Sequence, residues 1–523
     1  MSISKPIHLL IQTVLLFAFT QPLIASERAQ QVLVEKQTIA DLGNGFYRNP
    51  IIAGRRADPS LVRIGQDYYM THGGGGSKTL LFWHSRDLVN WRPVHRLKLV
   101  DIGYPWAPDL VFVNNKYNVY FTSLDIKEDG QRVFANYVYT ATKITGPWQG
   151  PFNLDVAGLI DPGHIIGQDG KRYLYFAKGW AIELSADGTK RISELKKYYD
   201  GWKYPDSWIV ECPCLESPKF FFKDGYYYLV SAMGGTSGPS TSHMAVVARS
   251  KQATGPWENS PYNPLIRTKS RKERWWSQGH ATLLDAIDGS WWAIYHGYEN
   301  GYLTLSRQTL MLPIEWTSDG WPKVKDDVMS DQLIPMPPGK NIGHGMPLSD
   351  DFNSNKLGLQ WKFYRSRNAD SQWRLSKKRL FIRDGDSNNP RASTGMGCSP
   401  FNHAYEISVK VSRGSAKEAG IFLSRQGRNA TGVALGTDKL EFYWRGEPAR
   451  YPASEIVPWK KDEAYLKILN LHHDVAIFYS EDGKNWTKFV RGFDVHGRSL
   501  VEPTLMVRSG EASFDNFVYQ GLE

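Results

Sequence analysis

Beyond its N-terminal segment the chain is a succession of short apolar and β-branched runs, broken by turn residues, with no long stretch of helical spacing. One unit recurs five times: a turn residue, an aromatic, then a β-rich run. It reads Gly65-Gln66-Asp67-Tyr68, Asn114-Asn115-Lys116-Tyr117, Gly170-Lys171-Arg172-Tyr173, Gly225-Tyr226-Tyr227-Tyr228 and Gly289-Ser290-Trp291-Trp292. The five aromatics lie 49, 56, 55 and 64 residues apart. Apolar positions flank each turn, as a hairpin requires, and a third strand often follows, as at Leu80–Ser85 and Met244–Arg249. Repeats of about 50 residues with three or four strands are propeller blades. Residues 45–333 are therefore expected to form a five-bladed β-propeller.

Residues 334–346 are rich in Pro and Gly and read as a linker. Beyond them the period changes. Short alternating strands such as Tyr405–Val411, Ala419–Ser424 and Tyr465–Leu469 are separated by Gly- and Asp-rich turns. That pattern predicts a β-sandwich of jelly-roll or concanavalin-like kind over 347–523. The expected fold class is all-β, a propeller followed by a sandwich.

The N-terminus departs from this pattern. Lys5 and His8 precede an apolar run from Leu9 to Ile24 that ends at Ala25-Ser26. Residues 1–26 read as a signal peptide. The run is short for a membrane span and holds Gln12, Thr13, Gln21 and Pro22. Export to the periplasm or the medium is expected, with no membrane partner after cleavage. Three cysteines are too few for a disulfide framework, and Cys212 and Cys214 are read as small buried residues. The formal charge is +10, but Lys and Arg are scattered. Their densest cluster, Lys269 to Arg274, includes Glu273 and reads as a solvated loop, so no nucleic-acid partner is expected. Weak attraction to acidic polysaccharide stays open. The 19 Trp and 27 Tyr suit sugar faces, although β-rich chains use them anyway.

The repeat also says what reaches the propeller axis. The strand before each turn should be innermost and begin with hub residues. Counting back nine from Gly170, Gly225 and Gly289 gives Asp161, Glu216 and His280. Seven before Gly65 is Asp58, and eight before Asn114 is Trp106. Buried carboxylates are costly unless paired or functional. Three in blade register suit glycosidic hydrolysis, which needs an acid for the departing oxygen and a carboxylate on the opposite face. A third negative charge can hold the acid's pKa up.

The phrases Ala57-Asp58-Pro59-Ser60, Tyr104-Pro105-Trp106-Ala107-Pro108-Asp109, Ile160-Asp161-Pro162, Glu216-Ser217-Pro218-Lys219 and Gly279-His280 resemble glycoside hydrolase family 43. Asp350-Asp351-Phe352 leading to Trp361 is similar to the start of the sandwich in xylosidase-like members. The resemblance implies an inverting enzyme. Asp58 would be the general base, Glu216 the general acid, and Asp161 the residue that orients Glu216 and raises its pKa. The family phrase is Glu-Gly-Pro where this chain has Glu216-Ser217-Pro218, and Glu211-Cys212-Pro213 is a decoy fourteen residues from its turn. Trp106 would form a sugar-stacking wall, and Arg307 would reach sugar hydroxyls or pair with Asp161 or Glu216. His280 would lie beneath the sugar, beside a structural calcium ion through water. His296 reads as a blade residue. The chemistry itself is expected to need no cofactor. The expected substrate is a plant polysaccharide or oligosaccharide bearing terminal β-D-xylosyl or α-L-arabinofuranosyl residues. Endo-action, a galactan substrate and a non-catalytic sugar-binding protein are the alternatives.

Overall fold

The computed structural model describes residues 34–523 apart from short stretches at 74–75, 128–129, 365–371, 386–393, 446, 449–455 and 499. The segment read as a signal peptide, 1–26, lies outside the described residues. The named elements are antiparallel strands and three single-turn 3₁₀ segments. Five sheets of four or five strands follow one another between Ser60 and Val324. Their first strands are Ser60–Ile64, Tyr104–Val113, Gly163–Ile166, Glu216–Lys223 and Trp275–Asp285. Each of these touches the next around a closed ring, so they form the hub of a five-bladed propeller. The repeated turn residues Gly65, Asn114, Gly170, Gly225 and Gly289 all take positive φ, which is why Gly or Asn stands there.

Each blade carries one more left-handed residue at the channel: Asp58, Ala107, Asp161, Ser217 and His280, with φ of 55°, 27°, 59°, 53° and 51°. Each is a hub residue of the sequence count or its immediate successor. In blades two, four and five the ladder slips at this point, between Trp106 and Asp109, Glu216 and Lys219, and Gly279 and Thr282. A left-handed non-Gly residue costs on the order of 1–3 kcal/mol. Here the turn it makes re-aims one side chain per blade.

The channel is held together by buried charge. Lys219 Nζ of blade four bonds Asp109 Oδ1 of blade two at 2.8 Å, with both side chains almost fully buried. Asp109 also accepts from Ser60 Oγ of blade one and, at 2.8 Å, from the His164 amide of blade three. One carboxylate thus ties four blades. The ring closes where Phe46–Tyr47 pairs with Ile334–Pro335, and where Ile52 bridges Thr309.

Two sheets of eight and seven strands form the C-terminal sandwich. One apolar cluster runs from Tyr47, Trp83 and Leu310 into Phe401, Ile421 and Leu505, so the sandwich shares a core with the propeller. Glu502, wholly buried, bonds Lys362, Tyr364 and Ser399 and faces Arg55 and Arg56 of the propeller. The stretch read as a linker is a packed strap. Met336 donates to Gly45, Gly345 to Trp91, and Met346 is buried. Its Pro and Gly residues serve close backbone packing, a role the composition does not distinguish from looseness. Asp109→Ala would strand the Lys219 ammonium and is expected to destabilise the protein by about 3–5 kcal/mol. Chemical denaturation monitored by tryptophan fluorescence would read this.

Candidate active site

His280 is the centre of the site. It sits at a bulge of the innermost strand of blade five, and its ring faces three carboxylates from three other blades. Nδ1 lies 3.4 Å from Asp58 Oδ1; Nε2 lies 3.6 Å from Glu216 Oε1 and 3.9 Å from Asp161 Oδ2. Burial alone would pull its pKa down, but Asp58, Glu216 and Asp161 outweigh burial and hold it above the usual value.

The three carboxylates are not alike. Asp58 is largely buried, with 12% of its side chain exposed, yet Arg307, His280 and His296 hold it well below the usual carboxylate range. Arg307 Nη1 donates to Asp58 Oδ1 at 2.7 Å, and His296 Nδ1 lies 3.1 Å from the same oxygen. Asp161 has no such cation in contact, and its amide is held by Thr122 Oγ1 at 2.9 Å. Burial and the neighbouring Glu216 carboxylate push its carboxyl up to about 7, against opposing pulls from His280 and Lys219. Glu216 is the more exposed of the two, 17% against 4% for the side chain of Asp161. Asp58 is thus the ionised member of the trio, and Asp161 the one driven toward its neutral form.

Glycine makes room for this. A Cβ on Gly73 would come within 2.8 Å of Asp58 Oδ2, and one on Gly279 would strike the His243 ring. His243 is fully buried and stacks on His296, with ring centroids 5.4 Å apart. Burial holds His243 well below its usual pKa and takes His296 down to about 3, so both rings are neutral. Trp106 is half-buried against Phe134, beneath the Arg132 guanidinium.

Residues 47–322 match the family model described as glycosyl hydrolases family 43. The chain belongs to glycoside hydrolase family 43. Residues 349–505 match the β-xylosidase C-terminal concanavalin A-like domain. A non-reducing end α-L-arabinofuranosidase of Bacteroides ovatus is 32% identical over 74% of this chain and 75% of its own length. A xylan 1,3-β-xylosidase of a Vibrio species is 30% identical over 53% of this chain and 57% of its own. The crystal structure of a family 43 protein of Bacillus licheniformis superposes with a TM-score of 0.79 at 25% identity, covering 91% of this chain and all of that one. The chain is accordingly a glycosidase.

Sequence reasoning meets the structure unevenly. Asp58, Asp161, Glu216, His280 and Arg307 come together. Arg307 pairs with Asp58 rather than with Asp161 or Glu216, because blade five adjoins blade one where the ring closes. Glu211 stays outside the hub, exposed, accepting from the Ser237 and Gly238 amides. Cys212 and Cys214 are a correction. They are half-buried and joined in a disulfide across Pro213, since the turn brings their Cα atoms to 5.2 Å. His296 is also more than a blade residue, since its Nδ1 lies 3.1 Å from Asp58 Oδ1. His243 was missed; the small residue at Gly279 was its only sequence trace.

A calcium ion fits the hub poorly. Calcium takes about six to eight oxygens, whereas among the described residues the groups that could converge on an ion here are Asp58, His280 and His296, or Glu216, His243 and His280. The carboxylates in these sets already face His280 and Arg307.

The activity should fall as pH rises through about 7, where Asp161 loses its proton, and Asp58 should stay ionised well below pH 4. The pH dependence of kcat/KM on a nitrophenyl glycoside checks this, and Asp161→Asn should displace the alkaline limb.

Proposed function

We propose that the protein is an exported, inverting glycosidase that removes terminal β-D-xylosyl or α-L-arabinofuranosyl residues from plant cell-wall polysaccharides or their oligosaccharides. The observation that carries this reading is the placement of Asp58 and Glu216 at opposite nitrogens of one imidazole. A ring's width between the two carboxylates leaves room for a water molecule on the far side of the sugar, as inversion requires. Water held at Asp58 attacks the anomeric carbon and gives its proton to the Asp58 carboxylate. Glu216 gives its proton to the departing oxygen. Asp161, itself driven toward its neutral form, orients Glu216. Arg307 keeps Asp58 ionised and presents its remaining donors to sugar hydroxyls. Trp106 offers an aromatic wall.

The names of the relatives support both pentoses. Release of single sugars is supported by the sandwich, which packs on the propeller. Its Gln426 side chain lies against Gly76, three residues along the chain from Gly73, which itself packs against Asp58. The Cys212–Cys214 disulfide accords with an oxidising compartment.

Asp58→Asn and Glu216→Gln should each lower kcat by about 10²–10⁴-fold with unchanged circular dichroism. Full activity in either would overturn the assignment. In a panel of nitrophenyl glycosides, the β-D-xyloside and the α-L-arabinofuranoside should turn over, and activity confined to galactosides would refute the sugar reading.

A further inference from the structure

A second cavity, of about 500 Å³, lies between blades four and five. That is the size of a small-molecule site. None of Asp58, Asp161, Glu216 or His280 lines it. Its buried floor includes Leu265, Leu312 and Trp275, and the Trp275 indole N–H has no partner among the described residues. Trp208 and Tyr262 contribute aromatic wall.

Arg267 is the unusual member of the lining. Its guanidinium lies over the Trp208 ring, 3.5 Å from the centroid, and its Nε donates to the Thr241 carbonyl at 3.1 Å. These two contacts fix the plane of the fork. Among the described residues no carboxylate lies within ion-pair distance of it. Two other charges on that wall are already used. Arg274 pairs with Glu299 at 2.8 Å, and Glu273 accepts from the Lys269 and Ser270 amides at 2.8 Å. Lys269 and Lys323 add positive charge around the cavity, while Asp327 and Asp331 offer acceptors for hydroxyls.

We propose that this cavity is a second carbohydrate site that takes a uronic-acid residue of the polysaccharide, with its carboxylate on the Arg267 fork. A planar guanidinium matches a carboxylate through two parallel hydrogen bonds, and a stacked one loses little freedom on binding. Tyr262 supplies an apolar face for the sugar ring. The basic loop from Lys269 to Arg274 then borders a binding site for acidic substrate. The inference rests on the reading of the substrate as plant cell-wall polysaccharide, but the site and its chemistry are independent of the hub.

The test uses the full-length Glu216→Gln protein, which cannot consume its ligands, in isothermal titration calorimetry. The probes are xylotriose carrying one glucuronic-acid branch and unbranched xylotetraose. The branched probe should bind at least about tenfold more tightly, a gap a charge-assisted pair can supply, and added salt should narrow it. Arg267→Ala should abolish the advantage. Arg267→Lys, which keeps the charge and the stem but not the fork, should retain only part of it, and circular dichroism checks the fold of both variants. Equal affinity for the two probes, or an undiminished advantage in the Arg267 variants, would overturn the proposal. Failure of the hub assignment would appear separately, as full turnover by Glu216→Gln before calorimetry begins.

Discussion

Three carboxylates from three blades meet around one buried imidazole, and the rest of the molecule can be understood as what makes that arrangement tolerable. Like charges at these distances in a low-dielectric channel repel strongly. The hub relieves the repulsion unevenly. Asp58 receives Arg307 and the His296 contact and stays ionised, whereas Asp161 receives no cation in contact and is driven toward its neutral form. His280 carries raised basicity between them. The asymmetry sets an ionised carboxylate apart from one driven toward its neutral form, although both are aspartates.

The propeller is well suited to this task because it brings one residue per blade to the axis with a fixed backbone device. A left-handed residue at or just after each hub position, with a ladder slip in blades two, four and five, turns the side chain into the channel. The local cost is met by tight closure elsewhere. Asp109 and Lys219 lock four blades deeper in the channel, and Lys219 also pulls on Asp161 electrostatically. Structural and catalytic charge are therefore one network. The sandwich extends the same logic, with Glu502 placed against Arg55 and Arg56 and a common apolar core behind them.

Much of this could be read along the chain. The turn aromatics gave blade number, and counting back from each turn reached Asp58, Asp161, Glu216 and His280, because strand length links a turn to a hub position. The same count separated Glu216 from Glu211. What escaped it was contact between distant strands. His296 lies on the second strand of blade five and His243 just ahead of the third strand of blade four, where no repeat points to the axis. Asp109 and Lys219 stand inside the phrases that carried the family resemblance, yet their pairing across the channel depends on ring closure. The Cys212–Cys214 bond was hidden because a count of three cysteines says nothing about a local turn. The strap at 334–346 reads as loose from composition, since Pro and Gly mark close packing as readily as freedom.

The hub account makes one claim above the others: water is activated at Asp58 while Glu216 protonates the opposite side of the sugar. Proton NMR of the first minutes of hydrolysis of nitrophenyl β-D-xyloside tests it most directly. The account predicts that α-xylose appears first and then mutarotates toward equilibrium. Initial release of β-xylose would contradict it.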